Sequence, residues 1–381
     1  MILGLDGTPL QGVCSSSGWH LNHLLESLSG LLEEDKIFVW MNNAFGAEQL
    51  RVPQNRYVAL VNTHYPNAAL KLSWGTLGTP TLEGLIGRSL DACLYAAPAM
   101  PPQKRGGKVL LIHDLAEWIA SDPPQGNPQA LSPGDFEKTL KVVDLVLTVS
   151  DYNRAVIKRR IPGFSDEKIR VVPNGILPMF QKPVTRDKVE EVRRYYGLHK
   201  PYFFYAGVLE TRKNLLRLVH AFLVYQQQAG VETELVMAGP KGWIGEDFMQ
   251  FLLSSALAGK VRWLDVVPPD HLAALYTDAV LFVYPALNAG FGTPVLEAMG
   301  CGAPVLCAES GALPEIAGDA ALKVPPTQVG LWVSAFQKVA GDREVREEMR
   351  RRGFERASHY RWDRSAKEVL SALVGVAKAR V

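Results

Sequence analysis

A glycine-rich turn leading into a short helix carries the residues with the clearest chemical potential. The segment Asn288–Ala303 reads NAGFGTPVLEAMGCGA, and it follows Ala279–Pro285, an apolar run typical of a buried parallel strand. Thr293 is expected to cap the helix and Pro294 to be its first residue. Such a turn aims backbone N–H groups and a positive helix end at one point, which suits an anion or sugar hydroxyls. Glu297, expected in the first turn, could bind two vicinal hydroxyls; alternatively, the glycines only form a tight turn and Glu297 only complements the dipole.

Two adjacent cations, Arg212 and Lys213, form a second candidate site. They lie between a strand predicted at Tyr202–Ala206 and a helix predicted from about Leu215 to Gln227, so they stand at another positive helix end. The forked guanidinium and the compact ammonium together suit a diphosphate. The alternative is a solvated pair of surface cations.

His113 and a glycine- and serine-rich segment are the candidates in the first half. His113 follows a strand predicted at Lys108–Ile112, and open α/β sheets bind ligands at the carboxyl ends of their strands. Its imidazole could bind a substrate hydroxyl or act as a general base, and a structural hydrogen bond is the alternative. The segment Gly12–Gly18 precedes a helix predicted from about Trp19 to Leu32; it either holds a phosphate or sugar or is a mobile surface loop.

Parallel strands are needed to position these candidates. Short apolar strands alternate with amphipathic helices along the chain, which predicts the α/β class and doubly wound parallel sheets. The segment Ile176–Pro183 contains two prolines and no periodicity, so it is expected to link two such units. A chain of 381 residues accommodates two or three domains of roughly 100–200 residues.

Composition argues against several classes of protein. The net charge of +2 is low for a dedicated nucleic-acid binder, and the four cysteines are too scattered for a zinc site or a disulfide framework. The first residues lack the pattern of a signal peptide, and no apolar run approaches the roughly 20 residues that span a bilayer. We therefore expect a cytoplasmic protein with reduced thiols.

A basic helical region near the C-terminus leaves peripheral contact with the inner face of a membrane open. Its arginines could contact anionic lipids, but interleaved glutamates favour a solvated helix face. The arginines are Arg346, Arg350, Arg351, Arg352, Arg356, Arg361 and Arg364, and the glutamates are Glu344, Glu347, Glu348 and Glu355.

Eight segments occur in an order typical of a known family. They are DGTPL near the start, IHDL at 112–115, LTVSDYNR at 147–154, IRVVPNGI at 169–176, YAGVLETRKNL at 205–215, LVMAGPKGW at 235–243, GFGTPVLEAMGCGAPV at 290–305 and ALPEIAGDAAL at 312–322. Together they resemble the family 4 retaining glycosyltransferases, which have the GT-B fold. The resemblance covers almost the whole chain and is strongest to the mannosyltransferase-type branch that builds bacterial surface polysaccharides.

The resemblance implies two Rossmann-like, doubly wound domains facing a cleft. Residues 1–182 would form the acceptor-side domain, to which residues 363–381 cross back, and residues 183–362 would bind the donor. A hexose, with mannose favoured, would pass from a nucleotide diphosphate sugar to a glycan or lipid-linked acceptor by front-face substitution with retention. Cations and a helix N-terminus would neutralise the leaving diphosphate, so no metal or other cofactor is expected.

Matching positions carry the family's binding roles onto this chain. Arg212 and Lys213 would hold the diphosphate, and Glu297 would bind the ribose hydroxyls. The remaining roles fall to Phe291, Gly292 and Thr293 as backbone donors to the donor sugar and phosphate, Val266 beside the base, Gly18 near the phosphates, and His113 as a catalytic-site group near the sugar.

One position departs from the family pattern, which has a glutamate, seven residues and a second glutamate. The second is Glu297, and the first falls at Ala289. The missing carboxylate normally contacts donor-sugar hydroxyls, and its loss could cost about 1.5–3 kcal/mol. Three explanations stay open: another residue such as Asn288 takes the role, the chain is a weakened member that needs a partner, or the alanine is an introduced substitution.

Three functions compete on this basis. The first is a retaining glycosyltransferase, and the second is a non-catalytic nucleotide-sugar-binding subunit, as Ala289 suggests. The third, a GT-B-like epimerase, is disfavoured because the motifs contain no set of acid/base carboxylates or histidines.

Overall fold

Two fully parallel sheets make up the strand content of the computed structural model, which describes residues 1–10, 16–43, 52–53, 55–97, 99–115, 133–230, 232–254 and 257–379. The chain divides into two compact units, the first comprising Met1–Gly175 and Trp362–Val381 and the second Ile176–Arg361. The predicted α/β class with two doubly wound units is confirmed.

The first unit is built on a seven-stranded sheet with the order β3-β2-β1-β4-β5-β6-β7. Its strands are β1 (Ile2–Asp6), β2 (Lys36–Asn42), β3 (Val58–Thr63), β4 (Ala92–Tyr95), β5 (Gly107–Ile112), β6 (Leu145–Thr148) and β7 (Ile169–Val171). Every residue of β4 and β6 is buried, as expected for central strands covered on both faces. The strand order reverses between β1 and β4, and such sheets bind ligands at the carboxyl ends of the strands that flank this point.

Six helices in the described part of the first unit pack against this sheet. They are Ser16–Ser29, Asn67–Thr76, Leu82–Ile86, Pro133–Val142, Asp151–Arg160 and Trp362–Lys378. The last of these packs against Ser16–Ser29 and against β4, β5 and β6. Its approach is close, because a Cβ on Gly107 would lie 2.2 Å from Val376 Cγ1.

The second unit has a six-stranded sheet with the order β10-β9-β8-β11-β12-β13. Its strands are β8 (Tyr202–Ala206), β9 (Glu234–Ala238), β10 (Val261–Trp263), β11 (Leu281–Tyr284), β12 (Val305–Ala308) and β13 (Ala321–Val324). The helices are Arg186–Tyr196, Leu215–Ala229, Glu246–Leu252, Pro269–Asp278, Thr293–Gly300, Leu313–Ala317, Val329–Gly341 and Arg343–Ser358. Strands β8, β9, β11 and β12 are buried throughout.

The boundary after the first unit falls at Gly175, whereas the sequence suggested residue 182. The intervening segment packs on the second unit. Ile176 N donates to Tyr360 O over 3.1 Å, and the Phe180 ring lies 5.9 Å from that of Tyr276. A Cβ on Gly300 would lie only 2.0 Å from Phe180 O, so the glycine is what permits this close contact.

The first helix begins earlier than predicted. It starts at Ser16, so Gly18 lies in its first turn and not in a preceding loop. The polar Ser16 and Ser17 are tolerated there because the first N–H groups of a helix have no intrahelical partner. Residues 12–15 of the predicted glycine- and serine-rich segment, including Cys14, lie outside the described residues.

The arginines of the helix Arg343–Ser358 are largely occupied within the second unit. Arg351 and Arg352 donate to Glu348, with Nη2 and Nε atoms 2.8 and 2.6 Å from its Oε1. Arg346 and Arg356 donate to backbone carbonyl oxygens. These contacts favour the interpretation as a structural helix face. Across the described ranges, no helix combines the length and apolar character needed to cross a membrane.

Candidate functional site

Lys213 presents a buried ammonium group at the end of β8. It closes a short 3-10 turn, Thr211–Lys213, and its side chain is only 8% exposed. Its Nζ donates to Tyr284 Oη over 2.8 Å and lies 5.1 Å from the centre of the same ring. Lys213 makes no salt bridge with any residue that the structure describes. A buried cation without a counter-charge is costly, so this position is suited to an anionic ligand.

Asn214 fixes the turn that presents Lys213. It adopts a left-handed conformation with φ of 61°, which asparagine tolerates better than most residues. Its Nδ2 donates to Pro285 O and Pro326 O over 3.2 and 2.8 Å, and its Oδ1 accepts from Arg217. The turn is therefore tied to the segment that follows β11.

Arg212 lies beside Lys213 but has a carboxylate partner. Its Nε donates to Glu210 Oε2, and its carbonyl oxygen accepts from Leu287 N over 2.9 Å. The Arg212 side chain is 29% exposed in this pair. An anion bound here would share Arg212 with Glu210, so Lys213 is the stronger anchor of the two.

The glycine turn after β11 leads into the helix Thr293–Gly300. Gly292, with φ of 107°, occupies the N-cap position, and Val295 N donates to its carbonyl oxygen over 2.9 Å. The prediction that Thr293 caps the helix was wrong by one residue, because the backbone at Gly292 turns through a conformation that favours glycine. Within the described ranges, the N–H groups of Phe291 and Gly292 have no hydrogen-bond acceptor, as the predicted donor-binding role requires.

Glu297 lies one turn further into this helix than expected. Tyr276 Oη donates to its Oε2 over 3.0 Å. Burial raises the pKa of the Glu297 carboxyl to about 7, although the hydrogen bond from Tyr276 lowers it. The carboxyl is thus close to half-protonated at neutral pH, and ligand hydroxyl groups that donate to it would favour its ionised form.

Ala289 is buried in a tightly packed backbone. Its carbonyl oxygen accepts from Ala312 N over 2.9 Å, and a Cβ on Gly311 would lie 2.6 Å from the same oxygen. The Asn288 Oδ1 beside it is buried and has no hydrogen-bond partner in the described part of the chain. An acceptor atom without a donor therefore stands one residue from the position of the missing carboxylate.

Val266 follows β10 and is 69% exposed. The preceding residue, Asp265, has a φ of 54°, and its carbonyl oxygen accepts from Gly239 N over 2.7 Å. Gly239 in turn packs on Gly207 at the end of β8. The backbone next to Val266, which the sequence predicted to lie beside the base, is therefore hydrogen-bonded to the loop after β9, and that loop contacts the loop after β8.

His113 follows β5 in the first unit. Both ring nitrogens are buried without a hydrogen-bond partner among the described residues, and the ring centre lies 5.3 Å from that of His20. Burial lowers the pKa of the His113 imidazole to about 4, so the ring is neutral at pH 7. A neutral imidazole can donate one hydrogen bond and accept another, which fits a hydroxyl ligand better than an anion.

The structure brings together most of the site residues that the sequence suggested in the second unit. Arg212, Lys213, Val266 and the turn before Thr293 all follow carboxyl ends of parallel strands, which meet at one edge of a sheet. Gly18 and His113 belong to the first unit. Tyr276, Tyr284 and Asn214 were missed; only Asn214 left a signal, as an asparagine before a helix.

Metal binding has no preformed site among the side chains that the structure describes. In the described ranges, no group of three or more histidine, cysteine, aspartate or glutamate residues is arranged to hold a metal ion. Charge at the second-unit site comes from Arg212, Lys213 and two helix N-termini.

The chain is similar to a known protein family, to a related sequence and to solved structures. Residues 190–356 match the family model described as glycosyl transferases group 1. O-antigen chain mannosyltransferase B of Escherichia coli is 29% identical over 282 residues, covering 71% of each chain. Sucrose-phosphate synthase from Thermosynechococcus elongatus superposes with a TM-score of 0.78 at 18% identity over all of both chains. The Anabaena protein Alr3699/HepE, solved with UDP and glucose, gives 0.71 at 15% identity over 98% of this chain and 99% of its own. At these identities the two structures show the fold alone, which is GT-B.

Proposed function

We propose that the chain is a glycosyltransferase of group 1 that transfers a hexose from a nucleotide diphosphate sugar with retention at the anomeric carbon. The match of residues 190–356 to the group 1 family model and the similarity to a mannosyltransferase support this proposal. Mannose is the favoured hexose, since a relative with 29% identity is a mannosyltransferase. The second unit is the proposed donor-binding unit, because it contains the matched residues 190–356.

The observation that carries the proposal is the buried ammonium of Lys213. It has a tyrosine hydroxyl as its partner and no carboxylate among the described residues. A diphosphate would supply the missing negative charge and would also accept from the N–H groups at the start of the helix Leu215–Ala229. Arg212 would bind the same diphosphate after release from Glu210.

The other groups of the second unit fit the rest of the donor. Ionised Glu297 would accept hydrogen bonds from two ribose hydroxyls, and Phe291 and Gly292 would donate their N–H groups to sugar or phosphate oxygens. As the glycosidic bond to phosphate breaks, negative charge grows on the leaving diphosphate. Lys213, Arg212 and the helix N-termini would stabilise that charge without a metal ion. His113 of the first unit is proposed to bind a sugar hydroxyl through its neutral ring.

Asn288 is proposed to serve where the family has a glutamate. Its buried Oδ1 needs a donor, and a hydroxyl of the transferred sugar would provide one. An amide acceptor is weaker than a carboxylate, so slow turnover is expected. The second candidate function, a subunit that binds the donor without transferring it, also rests on Ala289.

The acceptor is proposed to be a glycan or a lipid-linked glycan. The relative from Escherichia coli is named for the O-antigen chain. A cytoplasmic enzyme with peripheral contact to the inner face of a membrane would fit such an acceptor. Incorporation of labelled mannose into lipid-linked glycan by the membrane and soluble fractions of cells would test both points.

A donor panel tests the proposal directly. GDP-, UDP-, ADP- and dTDP-sugars would be titrated calorimetrically into the wild-type chain, Ala289→Glu and Lys213→Met, and nucleotide release would report turnover. We expect one donor to bind the first two proteins and to bind Lys213→Met much more weakly. Turnover by the wild type excludes the non-catalytic alternative, whereas turnover by Ala289→Glu alone supports it.

Asn288→Ala provides a second variant, because the close backbone around Ala289 leaves little room for a longer side chain. If Asn288 binds the transferred sugar, this variant loses turnover and keeps its affinity for the free nucleoside diphosphate. Absence of binding by every donor to the wild type would overturn the proposed function.

A further inference from the structure

Two glycines form a side-chain-free surface at the ends of β8 and β9. Gly207 and Gly239 have φ values of 142° and 137°, which other residues rarely adopt. A Cβ on Gly239 would lie 2.1 Å from Gly207 O, so the two backbones are in direct contact. Gly207 N also donates to Ala238 O over 2.9 Å. A larger residue is disfavoured at both positions, so the loops that follow β8 and β9 keep this direct backbone contact.

Two largely exposed apolar side chains belong to the loops that leave this surface. Val266 follows Asp265, whose carbonyl oxygen is bonded to Gly239. Trp243 lies four residues after Gly239 and is 60% exposed. Single exposed apolar residues are common on protein surfaces, so exposure alone does not indicate a ligand.

The backbone of Trp243 is fixed to the turn that contains Lys213. Its carbonyl oxygen accepts from Thr211 N over 3.0 Å and from Thr211 Oγ1 over 3.1 Å. The preceding Gly242 donates to Leu209 O over 3.0 Å, and a Cβ there would lie 2.4 Å from Val208 Cγ1. These hydrogen bonds hold the backbone of Trp243 close to the turn that forms the proposed diphosphate site.

We propose that Trp243 recognises the base of the donor nucleotide, with the indole stacked on the heteroaromatic ring while Lys213 holds the diphosphate. This inference rests on the proposed donor site in the second unit. Indole and nucleobase are both planar and apolar on their faces, and covering Trp243 removes an exposed aromatic surface from water. Every base has such a face, so Trp243 supplies affinity, and polar groups elsewhere select the base.

The test separates binding of the base from binding of the diphosphate. UDP, GDP and inorganic diphosphate would be titrated calorimetrically into the full-length wild type, Trp243→Ala, Trp243→Phe and Leu253→Ala. Leu253 is a matched control because it is 68% exposed in the same unit, next to the helix Glu246–Leu252. Tryptophan fluorescence would be recorded in the same titrations.

We expect Trp243→Ala to bind nucleoside diphosphates about 5- to 150-fold more weakly than the wild type. Trp243→Phe should retain most of the affinity, because a phenyl ring can still stack. All four proteins should bind inorganic diphosphate equally. Nucleotide should quench the fluorescence of the wild type and leave that of Trp243→Phe nearly unchanged.

Three results would overturn the inference while leaving the donor site intact. One is nucleotide affinity in Trp243→Ala equal to that of the wild type. Another is an equal loss of affinity for inorganic diphosphate, which would place Trp243 in the support of the Lys213 turn and not against the base. A wild type that binds inorganic diphosphate but gains nothing from any base would also overturn it. Failure of the wild type to bind any of the three ligands would instead overturn the donor site itself.

Discussion

Two regions of the second unit, the turn Thr211–Lys213 and the helix Arg343–Ser358, use their cations differently. The helix carries six arginines, and five of them donate to glutamates or backbone carbonyl oxygens. The turn carries two cations, and the buried one has no carboxylate partner among the residues described. The number of cations in a segment is therefore a poor guide to an anion site; a buried charge without a counter-charge is a better one.

Two carboxylates of the second unit, Glu348 in that helix and Glu297 in the helix Thr293–Gly300, differ in a similar way. Hydrogen bonds from Arg351 and Arg352 lower the pKa of Glu348 to about 2, whereas burial raises the pKa of Glu297 to about 7. Glu348 is fully ionised at neutral pH and already satisfied. Glu297 is poised between its two forms, so a ligand can change its ionisation.

The largest expected effect comes from Lys213→Met. Loss of a charge-assisted hydrogen bond should weaken binding of a nucleoside diphosphate about 10- to 150-fold in calorimetric titrations. The melting temperature should change little, because the variant also removes a buried unpaired charge. Arg352→Met, which removes one charge from the helix, should leave the affinity unchanged. Equal losses in the two variants would erase the distinction between the regions.

A smaller effect is expected from pH. If the donor binds ionised Glu297, the affinity for a sugar nucleotide should rise about tenfold between pH 6 and 8, with release of a proton. Titrations in buffers of different ionisation enthalpy would measure that proton. Glu297→Gln should abolish both effects, and persistence of the pH dependence in this variant would exclude Glu297 as its source.

The same group predicts a pH dependence of stability in the unliganded protein. Because the folded pKa is raised, the contribution of Glu297 is fully present below about 4.5 and is lost as pH rises through about 7. The melting temperature of Glu297→Gln, measured as a function of pH, should lack this decline. If the variant showed the same decline as the wild type, Glu297 would not be its source.

Tyr284→Phe should have a weaker effect than Lys213→Met. The variant keeps the ring beside the ammonium and removes the oxygen that accepts from Lys213 Nζ. A two- to tenfold loss of nucleotide affinity is expected from poorer positioning of Lys213. Tyr202→Phe is the control, since it removes a buried hydroxyl that donates to Leu275 O over 2.9 Å. Equal effects of both variants on affinity would mean that only stability had changed.

Glu348→Gln should have the smallest effect. Nucleotide affinity should stay at the wild-type value, because Glu348 accepts from Arg351 and Arg352 on its own helix. Its folded pKa is lowered, so the stabilising contribution is present above about 4.5 and lost as pH falls towards 2. A slightly lower melting temperature of Glu348→Gln than of the wild type at pH 7, with the difference lost at pH 2, would confirm that ionised Glu348 stabilises the fold.

The sequence predicted the strands and most helices of both units because buried parallel strands are continuous apolar runs. The strand Tyr202–Ala206 was predicted to the residue, and the helix predicted from about Leu215 to Gln227 ends two residues later, at Ala229. The start of the helix at Thr293 was missed because the conformation of Gly292 depends on its neighbours, including Leu313, whose Cδ2 would lie 2.6 Å from a Cβ there.

Partners of the candidate site residues could not be predicted. Lys213 and Tyr284 are 71 residues apart, and Tyr276 and Glu297 belong to different helices. Such pairs form only when the order and register of the strands are fixed, and neither is encoded in a local pattern. Local motifs therefore indicated Lys213 and Glu297 as candidates. They did not reveal that the Lys213 ammonium would lack a carboxylate partner among the described residues, or that burial would raise the pKa of Glu297.

The helix Trp362–Lys378 has a consequence for how the protein is made. It completes the first unit by covering β4, β5 and β6 and the helix Ser16–Ser29, yet all of the second unit precedes it in the chain. A ribosome therefore releases the continuous second unit before the first unit has its full core. Until residues 362–378 have been synthesised, the surface of β4, β5 and β6 that they cover stays exposed. Exposure of apolar sheet surface during synthesis is therefore expected of the first unit more than of the second.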